Sequence, residues 1–239
     1  MPDTDGGHAP SAAVRDVLED ARAAGFLGPG SVEPHMAHAE GFWALARRQS
    51  LVPGPEGTET RSPLLLDLGS GGGLPGLVVA ALWPEASIVL LDAHLRRTEF
   101  LNRAVIRLDL GNRVSVVQER AEVAGRDPTL RAMFDGVVVR SFGPPAVVAE
   151  CAAPFLRPGG WLIVSEPPAT AAPGGDVEPK EGLPEGQLTR WPAGSLSEVG
   201  LEPKEFVMEG FGYQVLVQRE LCPDRFPRRN GVPTKSPLF

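Results

Sequence analysis

Between positions 67 and 76 the chain reads Asp-Leu-Gly-Ser-Gly-Gly-Gly-Leu-Pro-Gly, directly after one apolar run and directly before a helical one. Glycines in such a turn permit positive φ and let the backbone approach a ligand closely, while the helix start offers free N–H groups and a partial positive charge. Nineteen residues beyond Gly73, at the end of the next apolar run, stands Asp92. A carboxylate there can accept hydrogen bonds from both hydroxyls of a ribose. Taken singly, the glycine run is also a tight turn and Asp92 a solvated strand end. Together, at this spacing, they point to an adenosine-bearing ligand. Asp67 chooses within that group: a carboxylate just before the first glycine suits a ligand with a positively charged amino group, such as S-adenosylmethionine, and gives a dinucleotide nothing. The chain also lacks a second domain for a dehydrogenase substrate, which lowers the nicotinamide reading.

The elements that must position these residues follow from periodicity. Leu64–Leu68, Ser87–Leu91, Arg113–Gln118, Phe134–Val139 and Trp161–Ser165 predict strands, with helices over Leu74–Leu82, Leu95–Leu108 and Ala146–Phe155 between them. Near-continuous apolar strands such as Val137–Val139 and Leu162–Val164 require a sheet covered on both faces, and the alternation with helices implies parallel strands joined by right-handed crossovers. The expected fold is an open α/β sheet with helices on both faces. Lys204–Met208 and Tyr213–Gln218, hinged at Glu209–Gly212, predict an antiparallel C-terminal hairpin. Two helices precede the sheet, over Ser11–Gly25 and Glu33–Gln49, with Ser11 as N-cap. The domain plan is a helical extension and linker over 1–57, the ligand-binding sheet over 58–219 with a Pro/Gly-rich surface insertion over 166–186, and a basic tail over 220–239.

Composition narrows the function. With 23 Lys+Arg against 30 Asp+Glu the net charge is −7, which argues against a chain that coats nucleic acid or anionic membrane by bulk charge. The stretch from Arg219 onward departs from this: Arg219, Arg225, Arg228, Arg229 and Lys235 face only Glu220 and Asp224, a net of +3. Such a patch, extended by Arg96, Arg97 and Arg140, can contact phosphates, or it is a solvated cover for the sheet edge. Two cysteines, Cys151 and Cys222, form no disulfide framework and no metal cluster, so no metal is expected and a reducing, cytoplasmic home fits. The N-terminal residues carry no basic and apolar leader pattern, and no long apolar stretch predicts a membrane span. Trp43, Trp83, Trp161 and Trp191 are expected to pack, with Trp191 beside the insertion also offered as a base-stacking surface.

The segments Asp67–Gly76, Leu90–Leu101 (Leu-Leu-Asp-Ala-His-Leu-Arg-Arg-Thr-Glu-Phe-Leu), Arg120–Glu122, Phe134–Phe142 and the tail from Arg225 together resemble the RsmG family, the small-subunit ribosomal RNA guanine-N7 methyltransferases, also called GidB. The Leu-Pro-Gly extension of the glycine turn and the tail are its discriminating parts. The resemblance implies a class I S-adenosylmethionine-dependent methyltransferase sheet of Rossmann-like form, acting as a monomer on ribosomal RNA or the small ribosomal subunit. It implies that Asp67, Gly69, Gly71 and Leu74 line the cofactor in the first loop, that Asp92 holds its ribose, and that Ala121 and Glu122 flank the adenine. Arg140 then lies between cofactor and substrate, as a catalytic and cofactor-binding residue. Each has a plain alternative: Leu74 as core, Glu122 as a loop charge, Arg140 as a snorkelling strand end.

Three departures accompany it. The family's Asn-Leu-Thr segment is missing, Phe226 replaces a more usual Tyr, and Ser165-Glu166-Pro167-Pro168 stands where a Lys-Gly pair is usual, so a carboxylate replaces a cation. That inversion keeps open a methyltransferase acting on another RNA or a small molecule, and beside it a non-catalytic ribosome-binding factor. For guanine N7, an unprotonated aromatic nitrogen, methyl transfer requires no base, so neither His94 nor the pair His35 and His38 is assigned as one. His35 and His38 share a helix face and are expected to pack.

Overall fold

The computed structural model describes residues 12–50, 62–167 and 185–239. Ser11, the linker at 53–57 and most of the 166–186 insertion lie outside the described residues. Two N-terminal helices, α1 (Ala12–Ala23) and α2 (Glu33–Ser50), lead into β1 (Leu64–Leu68), α3 (Gly76–Leu82), β2 (Ser87–Asp92), α4 (Leu95–Arg107) and β3 (Val114–Gln118). Then come α5 (Ala121–Ala124), β4 (Phe134–Val139), α6 (Pro145–Ala152) and β5 (Leu156–Glu166). The C-terminal part holds α7 (Glu185–Arg190), α8 (Ala193–Leu196), β6 (Leu201–Glu209), β7 (Phe211–Gln218) and α9 (Val232–Lys235).

The seven strands form one sheet in the order β3-β2-β1-β4-β5-β7-β6. β1 to β5 are parallel, and β7 runs antiparallel to both β5 and β6. The strand order reverses between β1 and β4, the position where open α/β sheets bind ligands at their carboxyl edge. Alternate residues of each strand enter different cores. Leu66, Leu68, Val137, Val139 and Leu162 pack with α5, α6 and α8 on one face, while Leu65, Ile88, Leu90, Val138 and Ile163 pack with α2, α3 and α4 on the other. Both faces are therefore covered, which is why these strands carry apolar residues at successive positions.

A third core lies outside the sheet, where Val14 and Leu18 of α1 and Met36 and Ala39 of α2 meet Val78 and Leu82 of α3. The N-terminal helices are thus a further layer stacked on α3. Arg113, just before β3, closes the far end of α3 by donating to the carbonyl of Ala80 in its last turn, of Trp83 at its C-cap and of Ala86 in the turn that leads to β2.

Several boundaries differ from expectation. The first crossover helix starts at Gly76 rather than Leu74, because the glycines before it form turns. β5 begins at Leu156, five residues before Trp161, with a register irregularity against β4 between Phe134 and Gly136. Glu166 belongs to β5 and Glu185–Gly186 open α7, so both ends of the stretch 166–186 lie in regular elements. The basic tail is ordered as turns and a short helix against α5 and α6.

Candidate cofactor site and its surroundings

The turn after β1 is shaped by three glycines with positive φ: Gly69 at 77°, Gly71 at 55° and Gly73 at 97°. The N–H groups of Gly69 and Ser70 donate to the Leu91 carbonyl at 2.8 and 3.0 Å, which ties the turn to the tip of β2. Space matters as much as conformation. A Cβ on Gly69 would stand 2.6 Å from Phe142 Cδ2, and one on Gly76 would stand 2.5 Å from the Asp67 carboxylate.

Asp92 closes this arrangement. Its Oδ2 accepts from the Gly71 N–H at 3.0 Å and its Oδ1 from the His94 N–H at 2.8 Å, with Arg97 Nη1 3.5 Å from Oδ2. Oδ1 keeps a second acceptor site and that of Oδ2 is met only by the long Arg97 contact, so the group can hold the turn and still receive hydroxyl donors. Beside it lies a cavity of about 200 Å³ lined by Gly69, Leu91, Asp92, His94, Arg97, Ala121, Ser141 and Phe142 among others. Three residues expected at the ligand therefore share one wall: Gly69, Asp92 and Ala121.

The other five sit behind or beside the cavity. Gly71 acts through its bond to Asp92. Leu74 is buried among the N-terminal helices and α3, the core alternative raised for it above. Asp67 has no exposed surface; its Oδ2 accepts from the Gly76 N–H at 2.9 Å, while its Oδ1 is buried with no partner among the described residues. Burial pushes its pKa up to about 7, against the opposing pull of the Gly76 and Ser70 hydrogen bonds. Glu122 is also buried, and its Oε1 accepts from Arg120 Nη2 at 3.1 Å and from the Gly231 N–H of the tail at 2.9 Å.

Arg140 projects from the tip of β4, across the switch point from the glycine turn. Its Nη1 is buried without a partner among the described residues, and its Nη2 lies 2.7 Å from His35 Nδ1. Desolvation lowers its pKa, opposed chiefly by the charge of Asp67. The His35 contact carries no sequence signal, since the two residues stand 105 positions apart.

The tail is more structural than its charge suggested. Arg228 forms a two-pronged pair with the wholly buried Glu150 and Arg219 pairs with Glu202, so two of its five cations are engaged. Arg131, not singled out from the sequence, donates to the carbonyls of Gly125, Cys222, Pro223 and Phe226 and so fastens the tail beside α5. Glu166 is buried and accepts from Trp191 Nε1 at 2.8 Å and from Arg190 Nε. Arg190 thus neutralises the carboxylate that stands where a Lys-Gly pair is usual, and Glu166 is engaged within the fold. Trp191 is fully buried and offers no stacking surface.

The sheet order, the glycine turn tied to an aspartate one strand over, and the cavity between them define a class I S-adenosylmethionine-dependent methyltransferase. An O-methyltransferase from Bacillus cereus, solved in complex with SAH, has the same fold, with a TM-score of 0.59 at 16% identity over 90% of this chain and 94% of that one. The family is more specific. Residues 35–166 match the model of rRNA small subunit methyltransferase G, and the chain belongs to that family. It is 36% identical to the ribosomal RNA small subunit methyltransferase G of Prochlorococcus marinus (strain MIT 9303) over 82% of this chain and 77% of that one. It is equally similar to the enzyme of that name from Deinococcus deserti, 36% over 73% and 68%. Among the described residues, no cluster of His, Cys, Asp and Glu could hold a metal ion, and no helix is long and apolar enough to cross a membrane.

Proposed function

We propose that this chain methylates N7 of a guanine in 16S ribosomal RNA, in the cytoplasm, as a monomer acting on ribosomal RNA or the small ribosomal subunit. The observation that carries this reading is the match of residues 35–166 to the rRNA small subunit methyltransferase G model, and the pairing of Asp92 with the glycine turn where the strand order reverses supports the cofactor within it.

The residues present fit S-adenosylmethionine. Among the described residues, Asp67 Oδ1 and Arg140 Nη1 are buried polar atoms of opposite charge without partners, which matches the ammonium and carboxylate of an amino acid. Asp92 takes the ribose hydroxyls, and the small Ala121 leaves room for the flat face of an adenine. Glu122 supports that wall through its own bonds rather than through a contact of its engaged Oε1. Gly69, Gly71 and Leu74 shape the loop that carries the ligand.

When bound, the cofactor supplies a methyl group on a sulfonium, an electrophile that needs no metal. Guanine N7 brings its own lone pair, so no residue has to remove a proton first. The chain's task is to bind, orient and exclude water, a proximity effect worth several kcal/mol of barrier. Phe142, seated over Gly69, covers the turn from the substrate side. Arg140 stands between the two ligands, where its charge fixes the cofactor's carboxylate and favours electron-rich groups of the base. His35 and His38 are held neutral by burial and by Arg140, and neither is required as a base.

Solvent-facing Arg225, Arg229 and Lys235 of the tail, with Arg96 near the cavity mouth, supply phosphate contacts. The test is to incubate the protein with labelled S-adenosylmethionine and small subunits from a strain lacking this enzyme, then map N7-methylguanine. Cofactor uptake without transfer would overturn the proposed reaction.

A further inference from the structure

Arg140 has two terminal nitrogens, and α2 accounts for one of them: Nη2 lies 2.7 Å from His35 Nδ1. A guanidinium carries only donors, so Nδ1 must accept, and the imidazole keeps its proton on Nε2. The charged groups and rings that face His35 are Arg140 from β4 and His38 from its own helix. Burial and the Arg140 charge hold both imidazoles in the neutral form, His38 with a pKa lowered to about 4.

A separate set of contacts fixes the direction from which His35 arrives. One turn further along α2, the His38 ring stacks on Phe211 at 4.4 Å with a 4° interplanar angle. Tyr213 Oη donates to the His38 carbonyl at 2.8 Å, and Phe42 meets the Tyr213 ring edge-on at 5.1 Å. Gly41 makes this approach possible, since a Cβ there would stand 2.0 Å from Tyr213 Oη. The rotation of α2 about its axis is therefore set by β7, and the position of His35 with it.

We infer that His35 is a positioning residue for Arg140: its Nδ1 holds one edge of the guanidinium so that the buried, unpartnered Nη1 is presented to the ligand. This rests on the reading of Arg140 given above. Arginine loses much rotamer freedom when ordered, and an acceptor that holds one edge in the free protein removes part of that cost from binding. The N-terminal helices then complete the site as well as covering α3.

A double-mutant cycle on S-adenosylmethionine affinity, followed by calorimetry, tests it. His35→Leu in the otherwise native chain is expected to weaken uptake about tenfold, which corresponds to about 1.4 kcal/mol. His35→Asn, whose Oδ1 takes the place of Nδ1, is expected to recover most of that loss. In an Arg140→Ala background, His35→Leu is expected to add nothing further. Equal losses in both backgrounds, or no recovery with Asn when the variants melt at the native temperature, would overturn the inference while leaving the cofactor site standing. A native chain that takes up no S-adenosylmethionine would overturn the reading of Arg140 and this inference with it.

Discussion

Arg228 meets Glu150 through two nitrogens and its own backbone: Nη2 to Oε2 at 2.6 Å, Nε to Oε1 at 2.9 Å, and the Arg228 N–H to Oε1 at 2.8 Å. Glu150 lies on α6 with no exposed surface, so a carboxylate in the core is neutralised by a side chain from the tail. The pair joins the tail to the helix that follows Arg140. Removing one partner leaves the other buried and uncompensated. Arg228→Ala is therefore expected to cost about 3 to 5 kcal/mol in denaturant unfolding, and Glu150→Gln somewhat less because it leaves a neutral acceptor. A loss within experimental error for Arg228→Ala would show that the tail is not held there.

Asp92 is bonded to the turn and to the start of α4, and the proposed function gives it the ribose as well. Asp92→Ala is expected to weaken S-adenosylmethionine uptake by about 10- to 100-fold, since hydrogen bonds to a charged group contribute about 1.5–3 kcal/mol. It also orphans the Gly71 and His94 N–H groups, so the melting temperature should fall too. Asp92→Asn keeps an acceptor for one of those N–H groups and is expected to restore part of the stability with little of the affinity. Unchanged uptake in Asp92→Ala, followed by calorimetry, would remove the ribose assignment.

Asp67 makes the site sensitive to pH. Its pKa of about 7 means that near neutrality much of the free protein holds a protonated carboxyl, whereas a ligand ammonium requires the ionised form. Affinity for S-adenosylmethionine is expected to rise with pH through the neutral region. Stability runs the other way. The unfolded carboxyl titrates near the ordinary 3.8, so the folded state binds the proton more tightly. Its contribution is fully present below that value and is lost as pH rises through about 7. Asp67→Asn should flatten both profiles, and calorimetric titrations and thermal melts over the same pH range measure them.

Gly69 is constrained twice, by a φ of 77° and by the Phe142 ring. Gly69→Ala is expected to lower stability by about 1–3 kcal/mol from backbone strain alone, and further from the displaced ring. Adding Phe142→Ala should relieve the clash but not the strain, so the double variant is expected to recover only part of the loss of cofactor uptake. Full recovery would show that space alone dictates glycine there.

Charge reversal separates the two kinds of arginine in the tail. Arg229→Glu and Arg225→Glu are expected to weaken RNA binding and to reduce its dependence on salt by roughly one counterion per lost contact, with melting temperatures unchanged. Arg225 itself is exposed and lies over the buried Phe226 ring at 4.8 Å, a contact of about 0.5–1 kcal/mol at a solvent-facing cation. If neither variant alters the salt dependence measured by filter binding, the tail does not touch phosphate.

The parts of this fold that can be read from sequence are those with a local physical cause. Apolar runs marked β1 to β5, glycines marked the turn, and the spacing to Asp92 followed from the geometry of one crossover. α5 escaped notice because four residues show no period, and the start of β5 because Arg157-Pro158-Gly159-Gly160 reads as a break. The polar ties were invisible for a different reason. Arg131 meets Cys222 91 positions away, Glu150 meets Arg228 across 78, and Glu166 meets Trp191 across a segment of unpatterned composition. Such contacts depend on where the sheet brings chain segments, and no local pattern encodes them. For the same reason, the tail's sequence charge counts Arg219 and Arg228 as free cations, although the fold pairs them with Glu202 and Glu150.

Arg131 gathers four carbonyls from two distant stretches of backbone, and its side chain does not line the cavity. Damage at this joint would loosen the stretch from Cys222 to Phe226, while Arg228 and Gly231 further along stay fastened to Glu150 and Glu122. A lesion there would reach the RNA contact proposed for Arg225 from a residue that is itself no candidate for contact with either ligand.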